Sequence, residues 1–332
     1  MRTIAAARIE LAELKGYSAA IPNSMLLSPT LIRESVASSE MESIHTTVES
    51  MLQQALFPAA EQRSADKEVL RCSEAIRWGN AQLAELPLVS RVIVEIQHLL
   101  LGATDADYRA TPNQIINSTT GQAIYTPPAA SQIPTLMGNR EHYTNTPDEA
   151  ADPLWRCVVG HYQFEAIHPF GDGNGRLGRI LMVLQQGLLT LPILFISGYI
   201  NRHRQDYYRL LLAVTARGEW EAFILFMLRG FELQARDTKQ TLLTVMEQLG
   251  EFCQRVRALP KRVPGELADH VFAFPVTTPV QAARERDDLQ NHFPQPERAD
   301  NRRPTGKPPG VAVSVLPQSP PAGTIKSIVG AP

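Results

Sequence analysis

Residues 161–179, His-Tyr-Gln-Phe-Glu-Ala-Ile-His-Pro-Phe-Gly-Asp-Gly-Asn-Gly-Arg-Leu-Gly-Arg, gather side chains and spacings that could do chemistry. Pro169 disfavours helical geometry in the residue before it, so a helix should end near His168. The glycine-rich run Gly171-Asp-Gly-Asn-Gly175 then feeds a new helix over 175–189. Such a junction exposes backbone N–H groups at a helix N-terminus, where the helix dipole also favours negative charge. Glycines let the backbone approach an anion and adopt positive φ. Arg176 and Arg179, three apart, share one face of the first turn. Two guanidinium groups and an amide nest can grip a polyphosphate, and Asp172 can hold a magnesium ion against it. His168 at the rim is placed to take a proton from an incoming hydroxyl.

Two other chemistries are weighed for the same stretch. His161, Glu165 and His168 fall at i, i+4 and i+7, a superficial metal pattern with no further strong ligand nearby; His161 reads better as a structural hydrogen-bonding residue. Gly171-x-Gly-x-Gly175 follows a helix and not a strand, which argues against a dinucleotide fold.

The elements that must position these groups are mostly helical. Apolar spacing predicts helices over 3–15, ending at Gly16 as a C-cap, and from Ser28-Pro29 through Ile44. Further helices are expected over 48–56, 67–86, 88–101, 150–167, 205–217 and 219–259. Between Arg109 and Pro147 the texture changes: a turn at Asn117–Gly121 and a short strand at Gln122–Tyr125 predict a hairpin. Ile180–Asn201 carries no charge, but Gln185, Gln186, Gly187 and Pro192 interrupt it, so two buried core segments are expected and not a membrane span.

The chain has 332 residues, 44% of them hydrophobic, and 32 basic against 34 acidic residues. That balance is globular and argues against a cationic nucleic-acid coat. Cys72, Cys157 and Cys253 form no pair in sequence, which suits a reducing cytoplasm, and Glu10 interrupts the N-terminus before a leader core could develop. Of 25 prolines, 13 fall in the last 73 residues, and 291–332 reads as a disordered tail. Residues 264–286 bear a short likeness to the start of a winged-helix module.

The stretch from His168 to Arg179 resembles the Fic family, whose motif is HxFx(D/E)GNGRxxR: His168, Phe170, Asp172, Gly173, Asn174, Gly175, Arg176 and Arg179 match each fixed position. The resemblance implies an all-α fold with a small β-hairpin flap, and transfer of AMP from ATP to a hydroxyl side chain of a target protein, with self-modification expected. It makes His168 the base and Asp172 the Mg2+ ligand. Gly173, Asn174 and Gly175 would cradle the phosphates, Arg176 the β-phosphate and Arg179 the γ-phosphate, with Leu177 and Gly178 in the same nucleotide-binding run. Phe170 would anchor the loop, Tyr207 would meet the adenine, and Gln122, Ala123, Ile124 and Tyr125 would form the flap that pairs with the target backbone.

Upstream, Ser38-Ser39-Glu40-Met41-Glu42-Ser43 resembles the family's inhibitory helix, (S/T)xxxE(G/N), with Ser38 and Glu42 in place and Ser43 departing from the last position. The resemblance implies that Glu42 pairs with Arg179 and keeps the α-phosphate from in-line attack. The bland alternatives are a solvated helix face for Glu42 and helix packing for Tyr207-Tyr208. The expected organisation is an N-terminal helical region over 1–86, a catalytic core over 87–235, a helical extension over 236–290 and the tail. A homodimer is admitted, a membrane partner is not. Transfer of another phosphoryl group, removal of AMP, and a non-catalytic DNA-binding role remain as rival readings.

Overall fold

The computed structural model describes residues 2–19, 23–54, 63–105, 107–116, 123–148, 151–185 and 188–257. Every element they form lies within one unit, Met1–Arg284. In order these are α1 (Arg2–Ser18), α2 (Asn23–Glu40), α3 (Val48–Gln54), α4 (Ser64–Gln82), α5 (Ser90–Leu101), β1 (Ile115–Ile116), β2 (Ala123–Tyr125), a 3-10 turn at Ala130–Gln132, α6 (Ile133–Asn145), α7 (Pro153–Ile167), α8 (Asn174–Gln185), α9 (Ser197–Arg202), α10 (Arg204–Arg217) and α11 (Trp220–Arg257). The all-α class with one short antiparallel hairpin is as expected; Ile115 pairs with Tyr125 and Ile116 with Ala123.

The centre is the α7–loop–α8 hairpin. Leu154, Cys157, Val158, His161, Phe164 and Glu165 form the buried stripe of α7. On α8 burial is continuous from Arg176 to Val183, so this helix is enclosed on all sides. α6 and α11 pack against α7, while α4 and α5 cover α8. α2 lies against α4 and α9 and touches α8, which brings its C-terminal end over the start of α8. α1 runs along α11. Ala7, Leu11 and Leu14 are buried there, and Glu10 pairs with Arg236 (2.8 Å) and Lys239 (2.9 Å). The first and last described helices therefore share one core with the segment between them.

Several expectations shift. Gly16 does not cap α1, which runs on to Ser18, whose hydroxyl donates to the Lys15 carbonyl (2.9 Å). α2 starts at Asn23, ahead of Pro29, and ends at Glu40, short of Ile44. α6 has no counterpart in the sequence reading: its buried positions are Ile133, Met137 and Arg140, and the arginine breaks the apolar stripe that would have marked a helix. Arg140 is tolerated inside because it donates to the Gly160 carbonyl and the Gln185 side chain and lies 5.5 Å from the Phe164 ring centroid. The uncharged run after Ile180 is α8 followed by the buried segment Ile193–Ile196, and no helix among the described residues is long and apolar enough to cross a membrane. Gln122, the winged-helix likeness and the tail lie outside the described residues.

Leu11, 1% exposed on the α1 face that meets α11, tests this shared core. Leu11→Ala is expected to lower stability by about 2–5 kcal/mol in a single guanidinium transition. A loss below about 1 kcal/mol, or a separate early transition, would show that α1 is not integral to the unit.

Candidate active site

α7 begins with Asp152 as N-cap, its carboxylate accepting from the Leu154 N–H (2.9 Å), and Pro153 at the first helical position. It ends at His168, which takes the left-handed conformation (φ 50°, ψ 60°) while its N–H still bonds the Phe164 carbonyl (3.0 Å). A non-glycine residue held there is strained by roughly 1–2 kcal/mol, so the surroundings must fix it. Arg109 does so from the segment after α5, donating through Nε to the His168 carbonyl (2.9 Å) and through its backbone N–H to the Pro169 carbonyl (2.9 Å).

The loop folds around Asn174, whose carboxamide brackets the Phe170 backbone. Oδ1 accepts from the Phe170 N–H (2.9 Å) and Nδ2 donates to the Phe170 carbonyl (2.8 Å). Phe170 itself packs into the core beside Tyr108 and Phe164, as expected of an anchor. Gly173 (φ +75°) turns the chain where a Cβ would crowd Gln97 and Leu101. Asp172 accepts from the Gly173 N–H (2.7 Å), and its carbonyl is held by Gln97 Nε2 (2.7 Å). Leu177 is the first residue of α8 to close a helical bond, to the Gly173 carbonyl, so the N–H groups of Asn174, Gly175 and Arg176 form the open helix start.

Both arginines are buried, and each meets a carboxylate from an N-terminal helix. Arg176 Nη1 lies 3.0 Å from Glu68 Oε2 on α4, while its Nε is buried with no hydrogen-bond partner among the described residues. Arg179 donates from Nε to Ser38 Oγ (2.9 Å), and from Nη2 to the Ser38 carbonyl (2.8 Å) and Glu42 Oε1 (2.9 Å). Burial disfavours its charge, but Glu42 more than offsets that and raises its pKa. Glu42 also crowds the helix start: a Cβ on Gly175 would fall 2.4 Å from Glu42 Oε1. An anionic side chain thus already sits over the amide nest.

Glu42 is held by the way α2 stops. The Ile44 N–H bonds the Ser39 carbonyl and the Ser43 N–H the Glu40 carbonyl, a Schellman arrangement that requires a left-handed residue at Ser43 (φ 63°). Glycine or asparagine suits that position best, which gives the pattern's last position its physical reason and leaves Ser43 carrying backbone strain. Arg204 caps the neighbouring Met41 carbonyl.

Some expected nucleotide contacts are spent elsewhere. Tyr207 is 2% exposed and its hydroxyl bonds His161 Nε2 (2.8 Å), so it sits in the core; Tyr208 is the exposed member of the pair. Leu177 is fully buried in the core and cannot reach a ligand with its side chain. Gly178 is a packing position, since a Cβ there would lie 2.1 Å from Glu165 Oε1. The Asn174 side chain clamps the loop, leaving only its backbone N–H for an anion.

Charge in this region follows burial. His161 is held neutral, its pKa pushed down to about 3, and its Nδ1 lies 3.2 Å from the Gly178 carbonyl. In that tautomer the Tyr207 hydroxyl donates to Nε2. Glu165 is pushed up to about 8 by burial, only partly offset by Arg179, so it is a neutral carboxylic acid near pH 7. His161 is thus committed to the Gly178 carbonyl and the Tyr207 hydroxyl, while Glu165 Oε1 is buried with no hydrogen-bond partner among the described residues. His168 is lowered by burial and then by Arg109, while the Glu165 backbone carbonyl and Glu42 pull it upward; the net effect favours the neutral base. Asp172 is exposed, so its carboxylate is the group in this loop that could hold a metal ion together with ligand phosphates. Among the described residues no cluster of three His, Cys, Asp or Glu could hold a metal alone.

Arg109, Glu68 and Gln97 escaped the sequence reading, and Glu165 entered it only through the metal pattern weighed with His161 and His168. Only Gln97 left a signal, as a polar residue on the apolar face of α5 between Ile93 and Leu100.

Glu165 titrates near 4.5 in an unfolded chain and near 8 when folded. As pH rises through that window the unfolded chain gives up a proton that the fold retains, so stability falls, by at most roughly 1.4 kcal/mol per pH unit. Glu165→Gln removes this term. Its melting temperature is expected to exceed wild type at pH 8.5 and to fall less between pH 5 and 8.5; parallel curves would overturn the assignment.

The family model described as Fic/DOC family matches residues 87–185, and that described as Fic/DOC family N-terminal matches residues 1–100. The chain is 26% identical over 223 residues to protein adenylyltransferase Fic of Drosophila virilis, covering 65% of this chain and 42% of that protein. It is 30% identical over 175 residues to the protein of that name from Nematostella vectensis, covering 50% and 38%. The match thus spans about two fifths of these curated relatives. In structure it is similar to a Fic family protein from Desulfovibrio desulfuricans G20 (TM-score 0.61, 21% identity, 88% of this chain and 90% of that one) and to Fic-1 from C. elegans (TM-score 0.55, 19% identity, 73% and 72%), which shows the shared fold. With both family models in register over 1–185, and the helical fold and motif loop in place, this chain belongs to the Fic/DOC family.

Proposed function

We propose that the protein transfers AMP from ATP to a hydroxyl side chain of a target protein and that Glu42 restrains it. The observation that carries the reading is a half-buried, neutral imidazole at the end of α7, directly before a loop that delivers the open N-terminus of α8 and two buried arginines. His168 takes the proton of the incoming hydroxyl, whose oxygen attacks the α-phosphorus as pyrophosphate leaves. The amides of Asn174, Gly175 and Arg176 and the guanidinium groups of Arg176 and Arg179 receive phosphate oxygens. The buried, unpartnered Nε of Arg176 fits such an acceptor. Magnesium, held at Asp172, would offset charge on the departing phosphates.

The flap supports a protein substrate. Tyr125 pins the hairpin by donating to the Ala166 carbonyl at the end of α7 (2.7 Å), while Ile124 stays exposed at 44%. A target segment adding beside β2 would lie along the edge nearest His168's helix end. The relatives named protein adenylyltransferase point to the same class of reaction.

The restraint follows from charge. With Glu42 on Arg179 and over Gly175, a γ-phosphate finds both its cationic partner and its space taken. ATP that binds around this obstacle is turned from the in-line pose.

Incubation with ATP labelled at the α or the γ position tests the reading. Glu42→Gly is expected to label protein, itself included, from the α position faster than wild type, and adding His168→Ala to lower that rate by about 10²–10⁴-fold. Label from the γ position would make the enzyme a phosphate transferase. Release of AMP from an adenylylated protein, without transfer, would make it a hydrolase, and no label at all would favour a regulatory role. Ser43→Gly relieves the left-handed strain, by about 1 kcal/mol, and should seat Glu42 more firmly. Its labelling rate is expected roughly fivefold below wild type at equal ATP; a faster rate would refute the cap's part in restraint.

A further inference from the structure

Arg109 lies in none of the helices or strands and outside the motif, yet its side chain meets three separate stretches of backbone. It is 7% exposed. Nε donates to the His168 carbonyl (2.9 Å), Nη1 to the Thr111 carbonyl (2.9 Å) and Nη2 to the Pro128 carbonyl (2.6 Å). Its backbone N–H holds the Pro169 carbonyl as well. Thr111 precedes β1 and Pro128 follows β2, so one planar fork joins both roots of the hairpin to the residue that carries the imidazole. All three acceptors of the fork are neutral carbonyls, and burial lowers the Arg109 pKa. Burying a guanidinium on carbonyls alone is an expensive way to tie a loop. It becomes intelligible if both the rigid fork and the charge have uses.

We propose that Arg109 is a positioning residue, a clasp that sets the His168 backbone and the β-hairpin as one rigid unit, so that the base and the strand receiving the target keep a fixed separation. The clasp rests on the adenylyltransferase reading for its catalytic consequence. Geometry is the first use. His168 sits in a strained left-handed conformation that its own sequence does not favour, and the fork bonds the carbonyl of that residue. The second use is electrostatic. Of the groups facing the imidazole, Arg109 disfavours its protonation, while Glu42 from the turn after α2 and the Glu165 carbonyl on α7 favour it. The Arg109 charge thus keeps the imidazole a base in the presence of a neighbouring carboxylate.

Arg109→Lys keeps the charge and loses the fork, whereas Arg109→Gln loses the charge. Amide exchange, His168 titration by NMR and ATP affinity are read in the full-length wild-type background, and transfer rates in the Glu42→Gly background. Arg109→Lys is expected to speed amide exchange at Ala123–Tyr125 and slow AMP transfer by about 10–100-fold, with ATP affinity and the His168 titration unmoved. Arg109→Gln is expected to do the same and to move the His168 titration upward. Wild-type flap protection and transfer rate in Arg109→Lys would overturn the clasp, as would a loss of ATP affinity in proportion to rate, which would make Arg109 a phosphate contact. If the Glu42→Gly chain with Arg109 intact transfers no AMP, while exchange and titration respond as stated, the adenylyltransferase reading falls and the clasp stands.

Discussion

A buried guanidinium gripped by three hydrogen bonds from the end of one helix organises this molecule. Arg179 sits one turn into an enclosed helix, where an unpaired charge would be prohibitive. Ser38 and Glu42 satisfy it, and both stand at the C-terminal end of α2. The same contact therefore stabilises the cation, caps the Ser38 carbonyl at the negative end of α2, and fixes where that helix lies over α8. On the proposed reading Arg179 also receives a phosphate, so the bond that holds the resting fold is the one a nucleotide would have to replace. In that reading, structural stability and restraint are two descriptions of one ion pair.

Around it the loop is assembled by backbone hydrogen bonding more than by side-chain charge. Asn174 spends its whole carboxamide on Phe170, Gln97 holds Asp172 by its carbonyl, and Arg109 holds His168 in the same way. Each of these polar side chains satisfies buried peptide groups that neither helix could reach. The loop amides and the imidazole are thereby pre-positioned, and little reordering is left for the moment of reaction. Behind the loop, His161 and Tyr207 form a neutral hydrogen-bonded pair and Glu165 is a neutral acid.

Carboxylates reach the two arginines from two directions. Glu42 arrives from the turn after α2 and Glu68 on α4, and each meets one of the two arginines. Both carboxylates are partly exposed, about a third of their side-chain surface, while their partners are almost wholly buried. Such lopsided pairs leave the carboxylate free to return to water when another anion takes its place, which a doubly buried pair would resist. Ser43 adds a further asymmetry, since the turn that aims Glu42 carries backbone strain that glycine would lack.

Sequence by itself determined the motif loop and its helical frame. A proline after His168, glycines at the turns and arginines three apart impose their geometry locally, through φ restrictions and the helical period, so they are legible one dimension at a time. The order of most helices was legible for the same reason. Which groups complete the site was decided only by tertiary structure. Arg109, Glu68 and Gln97 lie 59, 108 and 75 residues from their partners, and nothing in their local spacing refers to those distances. Burial likewise reassigned residues that spacing had grouped together: Tyr207 turned into the core and Tyr208 out, and the Asn174 side chain turned back on the loop. α6 escaped detection because its buried face includes Arg140, whose place inside depends on carbonyl and amide acceptors supplied by α7 and α8. Local sterics can be read from neighbours in the chain; the environment that fixes a charge or a proton comes from neighbours in space.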